Sequence, residues 1–251
     1  MSRFSPLLRP KMIGAHVLVV VLVFTMLNLS AWQFRRLDQR KAFNAEVRSR
    51  GTADPVPLAT LIDAKPDDTE WRHVVVNGIF RLGTSVTVTN RSQDSTAGVD
   101  ALQALDFTVG ITKYVLVVNR GFVPLATDAP AAPTGSVEFL GRIRKSQARR
   151  IGGLTDAATG TLTEIQRVDV PRLSKQMKAS NDQTVLPFYV DLLEYAKSAS
   201  VTSDLPARVA DPELSNGPHL SYAIQWIFFS GCALAAWVML IRRALRSQPS
   251  A

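Results

Sequence analysis

His219 stands at the start of an uncharged apolar run, and its side chain has the most distinctive chemistry in this sequence. A neutral imidazole is a ligand for metal ions, including haem iron. If the run is helical, a stripe at positions i, i+3, i+4, i+7 and i+11 could accommodate a flat apolar macrocycle. The alternative is that the polar and aromatic members of the stripe only anchor a helix at a membrane surface. The stripe comprises His219, Tyr222, Ala223, Trp226 and Ser230.

Two arginines provide a second piece of binding chemistry. Arg35 and Arg36 follow a different apolar run, near the other end of the chain. Guanidinium groups pair well with carboxylates, such as the propionates at the edge of a haem. If both apolar runs cross a membrane and end at the same face, these arginines are expected near His219. The alternative is that the arginines contact lipid headgroups.

The segment 119–124 (NRGFVP) ends a strand-like run with a charge, a glycine and a proline. A structural turn explains Gly121 and Pro124 and is the simpler interpretation. Arg120 and Phe122 could instead belong to a docking surface for a partner subunit.

Composition excludes several classes of site. A single cysteine excludes zinc and iron–sulfur sites built from several cysteines, and three histidines leave little for a His-built metal centre. The formal net charge is +8, yet three basic residues lie in each terminal tail and all acidic residues lie between Asp38 and Glu213. The excess charge is therefore not spread over a nucleic-acid-binding face, and no nucleic-acid partner is expected. No nucleophile-elbow, P-loop, zincin or dinucleotide-binding motif occurs in a suitable context, so we predict no catalytic residues.

Two apolar runs predict membrane spans. Residues 13–32 carry no charge, and about 20 apolar residues suffice to cross a bilayer core of about 30 Å. A cleaved signal peptide is the alternative, but this run exceeds a typical apolar region of about 7–15 residues and lacks a cleavage site. Residues 220–241 are also uncharged and have aromatic side chains near both ends. Within the first run, a hydrogen bond to a partner helix would satisfy His16 and Asn28.

The charges that flank the second run predict its orientation. Acidic residues precede it and three arginines follow, so the positive-inside rule places the C-terminus in the cytoplasm. Two spans then place the N-terminus there as well. The basic residues within 33–50 favour the opposite orientation, but the flanks of the second run are less ambiguous. The predicted organisation is a cytoplasmic tail at 1–12, spans at 13–32 and 220–241, an extracytoplasmic domain at 33–219 and a cytoplasmic tail at 242–251.

The region between the spans is predicted to be α+β. Residues 33–50 favour a helix that extends the first span or follows it closely. Short β-prone runs separated by Gly, Pro and Asp then predict an antiparallel β-rich domain, a barrel or a sheet, with one or two helices. Strands are predicted at 71–80, 85–90, 102–109, 114–119, 136–144, 161–170 and 186–192, a helix at 171–178 and a linker at 197–218.

Five segments follow one another in the order of the motifs of a known family. Residues 29–37 resemble the pattern L-G-x-W-Q-x-x-R-L, with Ser30 in place of the usual glycine. Residues 117–124 resemble L-V-N-R-G-W-V-P, with Phe122 for the usual tryptophan. Residues 72–80, 135–146 and 218–229 resemble three further motifs. On these segments the chain resembles the SURF1 family of cytochrome c oxidase assembly proteins.

The resemblance implies a membrane assembly factor that assists haem a insertion into, or maturation of, the catalytic subunit of cytochrome c oxidase. Together with the residue chemistry, it favours transient haem a binding, with His219 as the iron ligand and the stripe and arginines around the porphyrin. The catalytic subunit and haem a synthase are the expected partners. One alternative is a membrane-anchored scaffold that stabilises an oxidase subunit or an envelope complex without binding haem. A third possibility is an extracytoplasmic hydrolase with a cryptic site.

The expected location is a bacterial plasma membrane, with two spans and both termini cytoplasmic. Twelve residues precede the first span, fewer than a usual mitochondrial transit peptide contains.

Overall fold

The computed structural model describes residues 5–149, 151–157, 159–178, 180–196 and 204–246. Contacts divide the chain into two compact units, a helical unit (Met1–Glu46 with Glu213–Ala251) and a β unit (Val47–Pro212). The elements in chain order are a 3-10 turn (Ser5–Leu8), α1 (Pro10–Gly51), β1 (Val56–Pro57), a 3-10 turn (Leu58–Thr60), α2 (Pro66–Thr69), β2 (His73–Phe80), β3 (Val86–Gln93), β4 (Thr96–Val109), β5 (Thr112–Pro124), β6 (Ser136–Lys145), β7 (Glu164–Ile165), α3 (Val170–Met177), β8 (Thr184–Tyr195) and α4 (His219–Arg246).

The helical unit is a pair formed by α1 and α4. The first predicted span and the polar segment after it form one continuous helix. The less exposed side chains of α1 recur at alternating intervals of three and four residues, which is the pattern of a left-handed helix pair. We call these positions the seam. The seam comprises His16, Val19, Val23, Met26, Ser30, Gln33 and Leu37 on α1, and Ala223, Trp226, Ser230, Ala233 and Trp237 on α4.

Small side chains allow the two helices to approach closely near the middle of the seam. Ala223 is completely buried, and Ser30 and Ser230 are nearly so. The Ser30 hydroxyl donates a hydrogen bond to the Ala223 carbonyl at 3.0 Å. Serine at the usual glycine position therefore preserves close packing and adds a bond between the helices.

Both long helices have the length and apolarity of membrane spans. Almost none of the apolar stretch of either helix is buried within the protein, unlike the core helix of a soluble protein. The two helices therefore indicate membrane association.

The β unit contains a closed barrel. The strand order is β1-β2-β6-β8-β5-β4-β3-β7, and β2 pairs with β4 as well. This last pairing joins Phe80 to Leu105 and closes a ring of five strands, β2-β6-β8-β5-β4. Strands β1, β3 and β7 extend the sheet beyond the ring.

The sheet is mixed, which corrects the predicted antiparallel arrangement. Most neighbouring strands are antiparallel, but β5–β8, β1–β2 and β3–β7 are parallel. Strand β8 follows a long crossover that includes α3, and such a connection allows it to lie parallel to β5.

Two apolar cores cover the two faces of the barrel wall. Leu116 faces the interior, where it packs among residues such as Phe139 and Phe188. The next residue, Val117, points to the opposite face and belongs to a second core. Helix α3 covers this second core, with Leu173 buried against it.

Most predicted elements are present, and the differences lie late in the β unit. The predicted strand 161–170 is reduced to β7, and the helix predicted at 171–178 is α3. Residues 197–203 of the predicted linker lie outside the described residues. The part at 204–212 packs on the β unit, where Phe122 and Ala207 exchange backbone hydrogen bonds of 2.8 Å. Gly121 has a φ of 130°, and a Cβ there would lie 2.2 Å from the Ala207 carbonyl oxygen, so no larger residue fits.

Candidate functional site

His219 begins α4 and forms a hydrogen bond across the helix pair. Its Nδ1 lies 2.8 Å from Oε1 of Gln33, a buried residue on the α1 seam. With the amide oxygen as acceptor, Nδ1 carries the proton and a neutral ring has its lone pair on Nε2. Among the described residues, Nε2 has no hydrogen-bond partner. The pair therefore orients an imidazole whose free nitrogen can bind a metal.

The turn before α4 lies beside this ring. Gly217 has a φ of 65°, which favours glycine, and the chain then enters the helix through Pro218. The Tyr222 amide donates to the Pro218 carbonyl at 3.1 Å and closes the first turn. A Cβ at residue 217 would lie 3.5 Å from His219 Nε2, which is an ordinary van der Waals contact, so this turn lies next to that nitrogen.

The predicted stripe on α4 divides into two parts. Ala223 and Ser230 are buried and are not available to a ligand. Tyr222 remains 47% exposed and Trp226 is half-buried, with its ring edge against Phe229 at 6.1 Å between centroids. Of the stripe, His219, Tyr222 and Trp226 therefore remain accessible near the start of α4.

The two predicted arginines point in different directions around α1. Both are exposed, and Arg36 donates to Gln39 Oε1 at 2.9 Å. At about 100° per residue, Arg36 lies about 60° around the helix from Gln33, whereas Arg35 lies about 160° from it, nearly on the opposite face. Helix geometry thus brings Arg36, and not Arg35, to the face that contains the Gln33–His219 pair.

Arg120 and Phe122, the predicted docking residues, are buried within the β unit. Their exposed fractions are 6% and 5%. The Arg120 guanidinium donates to the carbonyls of Pro130 and Ala131 at 2.8 and 3.0 Å and lies over the Phe80 ring. These contacts favour the structural interpretation of the segment, and a docking role for the two residues stays a prediction.

A buried charged network in the β unit has no counterpart in the sequence-based predictions. Arg142 contacts Asp191 at 3.2 Å, and their side chains are 4% and 2% exposed. Arg144 reaches the same carboxylate at 3.4 Å and stacks on the Trp71 ring. Asn119 also donates to Asp191, at 3.1 Å. The network pairs its charges internally, which is the arrangement of a structural element.

Asp100 lies beside this network and is the most perturbed carboxylate outside the helices. Burial raises the pKa of Asp100 to about 6, although Arg91 at 3.0 Å opposes the shift and Asp191 adds to it. The sequence signal was an acidic residue between apolar neighbours, since Asp100 stands between Val99 and Ala101 in β4.

A cleft of about 980 Å³ on the β unit has polar walls that are already bonded to one another. Asn90 donates to Gln166, and the Arg167 guanidinium donates twice to the Leu154 carbonyl. Gln147 bonds the Tyr189 hydroxyl. In the described ranges no group of three or more His, Cys, Asp or Glu is placed to hold a metal ion. The His219 pair is the arrangement that the proposal below uses.

Comparisons with known proteins cover both units. The model of the SURF1 family matches residues 20–231. An uncharacterised SURF1-like protein of Mycobacterium tuberculosis is 25% identical over 241 residues, which cover 91% of this chain and 83% of that protein. A SURF1-like protein of Monosiga brevicollis is 26% identical over 238 residues, which cover 86% of this chain and 83% of that protein. The range matched by the family model contains Gln33, the barrel and His219.

Proposed function

The chain belongs to the SURF1 family, and from that premise we propose that it assists haem a insertion into the catalytic subunit of cytochrome c oxidase. Family membership indicates a role in cytochrome oxidase assembly in general and association with membranes. The finer proposal concerns transient haem a binding by the helical unit. The observation that carries it is the hydrogen bond between His219 Nδ1 and Gln33 Oε1.

The donor set near His219 fits a haem group. If haem a binds here, its iron would take a nitrogen ligand. Nε2 of His219 has the required lone pair, and no hydrogen bond to another described residue engages it. Gln33 holds the other ring nitrogen, which fixes both the tautomer and the ring orientation, as outer partners of metal-bound histidines commonly do.

The remaining predicted residues supply packing and charge. Tyr222 and Trp226 present aromatic surface on α4 next to His219 and would shield a flat apolar ring from water. Arg36 is the better placed partner for a propionate because it lies on the Gln33 face of α1. Arg35 would reach a haem carboxylate only from another face of α1.

The proposed setting is a bacterial plasma membrane crossed twice. Both termini lie in the cytoplasm and the β unit outside it, as the charge asymmetry around α4 predicts. In this orientation the partners are the oxidase catalytic subunit, haem a synthase and the lipid bilayer. Transient binding rather than turnover is the proposed mode of action.

The test is a visible spectrum of the full-length protein purified from cells that synthesise haem a. We expect a Soret band that is lost in His219→Ala. Gln33→Leu should weaken haem binding about tenfold, the scale of an outer partner of a metal ligand. Gln225→Leu is the matched control, because Gln225 is an exposed glutamine on α4.

Two results together would overturn the proposal. They are a haem-free wild-type protein and a His219→Ala variant that supports oxidase assembly as well as wild type does. That outcome would leave the scaffold alternative, in which the protein stabilises an oxidase subunit without binding haem.

A further inference from the structure

The face of α1 opposite the seam contains a second regular stripe. Its residues recur at intervals of four, three, four and three, and each is exposed. This spacing places them about 180° around the helix from the seam. We call them the outer stripe: Val21, Thr25, Asn28, Trp32 and Arg35.

Asn28 is the polar residue at the centre of the outer stripe. Its Nδ2 donates to the Phe24 carbonyl of its own helix at 2.8 Å. No donor among the described residues reaches Asn28 Oδ1. Among the described residues Asn28 therefore makes no hydrogen bond to α4, and a partner helix for it stays a prediction.

His16 is a polar residue of the same helix that lies on the seam and has a hydrogen-bond partner there. The Trp237 indole donates from Nε1 to His16 Nδ1 at 2.8 Å, so this residue is satisfied by α4. Asn28 receives no such donor, although it lies within the same apolar run. Hydrocarbon offers no hydrogen-bond donor, and an unsatisfied amide in it is costly. The outer stripe therefore lacks a partner that can donate at the depth of Asn28.

We propose that the outer stripe is the docking surface for α1 of a second copy of this chain, in a parallel symmetric pair. The proposal assumes that α1 crosses the membrane, and it does not depend on haem binding. An asparagine amide has both a donor and an acceptor, so two copies of Asn28 satisfy each other reciprocally. Identical chains insert in the same orientation, which brings the same residue to the same depth in both.

The residues on either side of Asn28 suit the same pairing. Thr25 already uses its hydroxyl on the Val21 carbonyl at 2.8 Å, so it presents a small, satisfied surface to a neighbour. Trp32 and Arg35 are three residues apart on the stripe, near the predicted end of the apolar run. In a symmetric pair, the guanidinium of one copy can stack on the indole of the other. The stripe therefore has complementary groups along its length.

The experiment uses oxidative crosslinking of full-length protein in proteoliposomes. Cys232, the one native cysteine, is first replaced by serine. Thr25→Cys then reports on the outer stripe, and Leu27→Cys is the control because Leu27 is exposed but lies on another face of α1. We expect a disulfide-linked dimer from Thr25→Cys and little from Leu27→Cys.

Asn28→Leu tests the central contact, with Leu27→Ala as its matched control. The dissociation constant of the dimer can be measured by energy transfer as the protein is diluted with lipid. In Asn28→Leu this constant should increase about 3- to 20-fold, which is the effect expected from losing one hydrogen bond between membrane helices. The far-ultraviolet spectrum should stay unchanged, because among the described residues the one hydrogen bond lost is that to the Phe24 carbonyl. Equal crosslinking at both cysteine positions would overturn the proposal. So would unchanged dissociation in Asn28→Leu, or a Thr25→Cys crosslink that forms only with another protein in native membranes.

Discussion

The two units use buried polar side chains in opposite ways. In the helical unit the groups on the seam are neutral, and single hydrogen bonds join the helices, as between His16 and Trp237. The β unit instead buries full charges, with Arg142 and Asp191 almost inaccessible to solvent. Neutral groups cost less to place among hydrocarbon, whereas charges are tolerated when several partners compensate them. The difference agrees with the proposed ligand site in the helical unit and with a structural role for the charges of the β unit.

The largest predicted loss of stability follows from removing the carboxylate that the two buried arginines share. Asp191→Ala leaves Arg142 and Arg144 without their common partner, and breaking a buried pair costs about 3–5 kcal/mol. The free energy of unfolding of the β unit can be measured in urea by fluorescence. Trp71 is the one tryptophan of that unit and it contacts both arginines.

The matched control is Asp182→Ala. Asp182 pairs with Lys113 at 2.9 Å, and both side chains are more than half exposed. A surface pair of this kind contributes little to stability, because solvent screens its charges. Similar losses in the two variants would contradict the structural role assigned to the buried network.

The second prediction concerns pH. Because the folded state raises the pKa of Asp100 to about 6, the folded protein binds a proton that the unfolded chain releases near pH 3.8. The free energy of unfolding should therefore fall as pH rises from about 4 to about 6, by about 1–3 kcal/mol. Asp100→Asn should remove this slope, and urea titrations of both proteins across that range measure the difference. A slope of equal size in the variant would assign the effect to other groups.

The smallest predicted effect belongs to the neutral pair in the helical unit. Trp237→Phe removes the donor to His16 Nδ1, and one hydrogen bond between membrane helices is worth about 0.6–1.7 kcal/mol. A double-mutant cycle with His16→Leu in detergent micelles measures the coupling energy between the two residues. A coupling near zero would show that the bond does not stabilise the helix pair, and a value above that of the charged network would reverse the comparison.

The sequence was most informative where structure depends on local pattern. Length and apolarity identified both long helices, and alternating β-prone residues located β2 to β6 and β8. Closure of the barrel was not predictable in this way. It depends on a few pairings between β2 and β4, and no local signal specifies which distant strand an edge will meet.

The candidate site was predicted only in part. The sequence indicated His219, but not its partner Gln33, which belongs to the other helix. The signal was present, since Gln33 is a seam position, seven residues after Met26 and three after Ser30. A sequence pattern can locate such a seam but cannot say which residues of two helices lie opposite each other. The separation of Arg35 from Arg36 around α1 follows once the helix is known to continue past residue 32.

The two members of the candidate site are 186 residues apart in the chain. During synthesis Gln33 emerges early, and His219 emerges only after every strand of the barrel. The imidazole therefore acquires its hydrogen-bond partner at the end of translation, when the last helix joins the first. A prematurely terminated chain can anchor itself and begin to fold, yet it lacks one half of the pair that joins the two helices at this point.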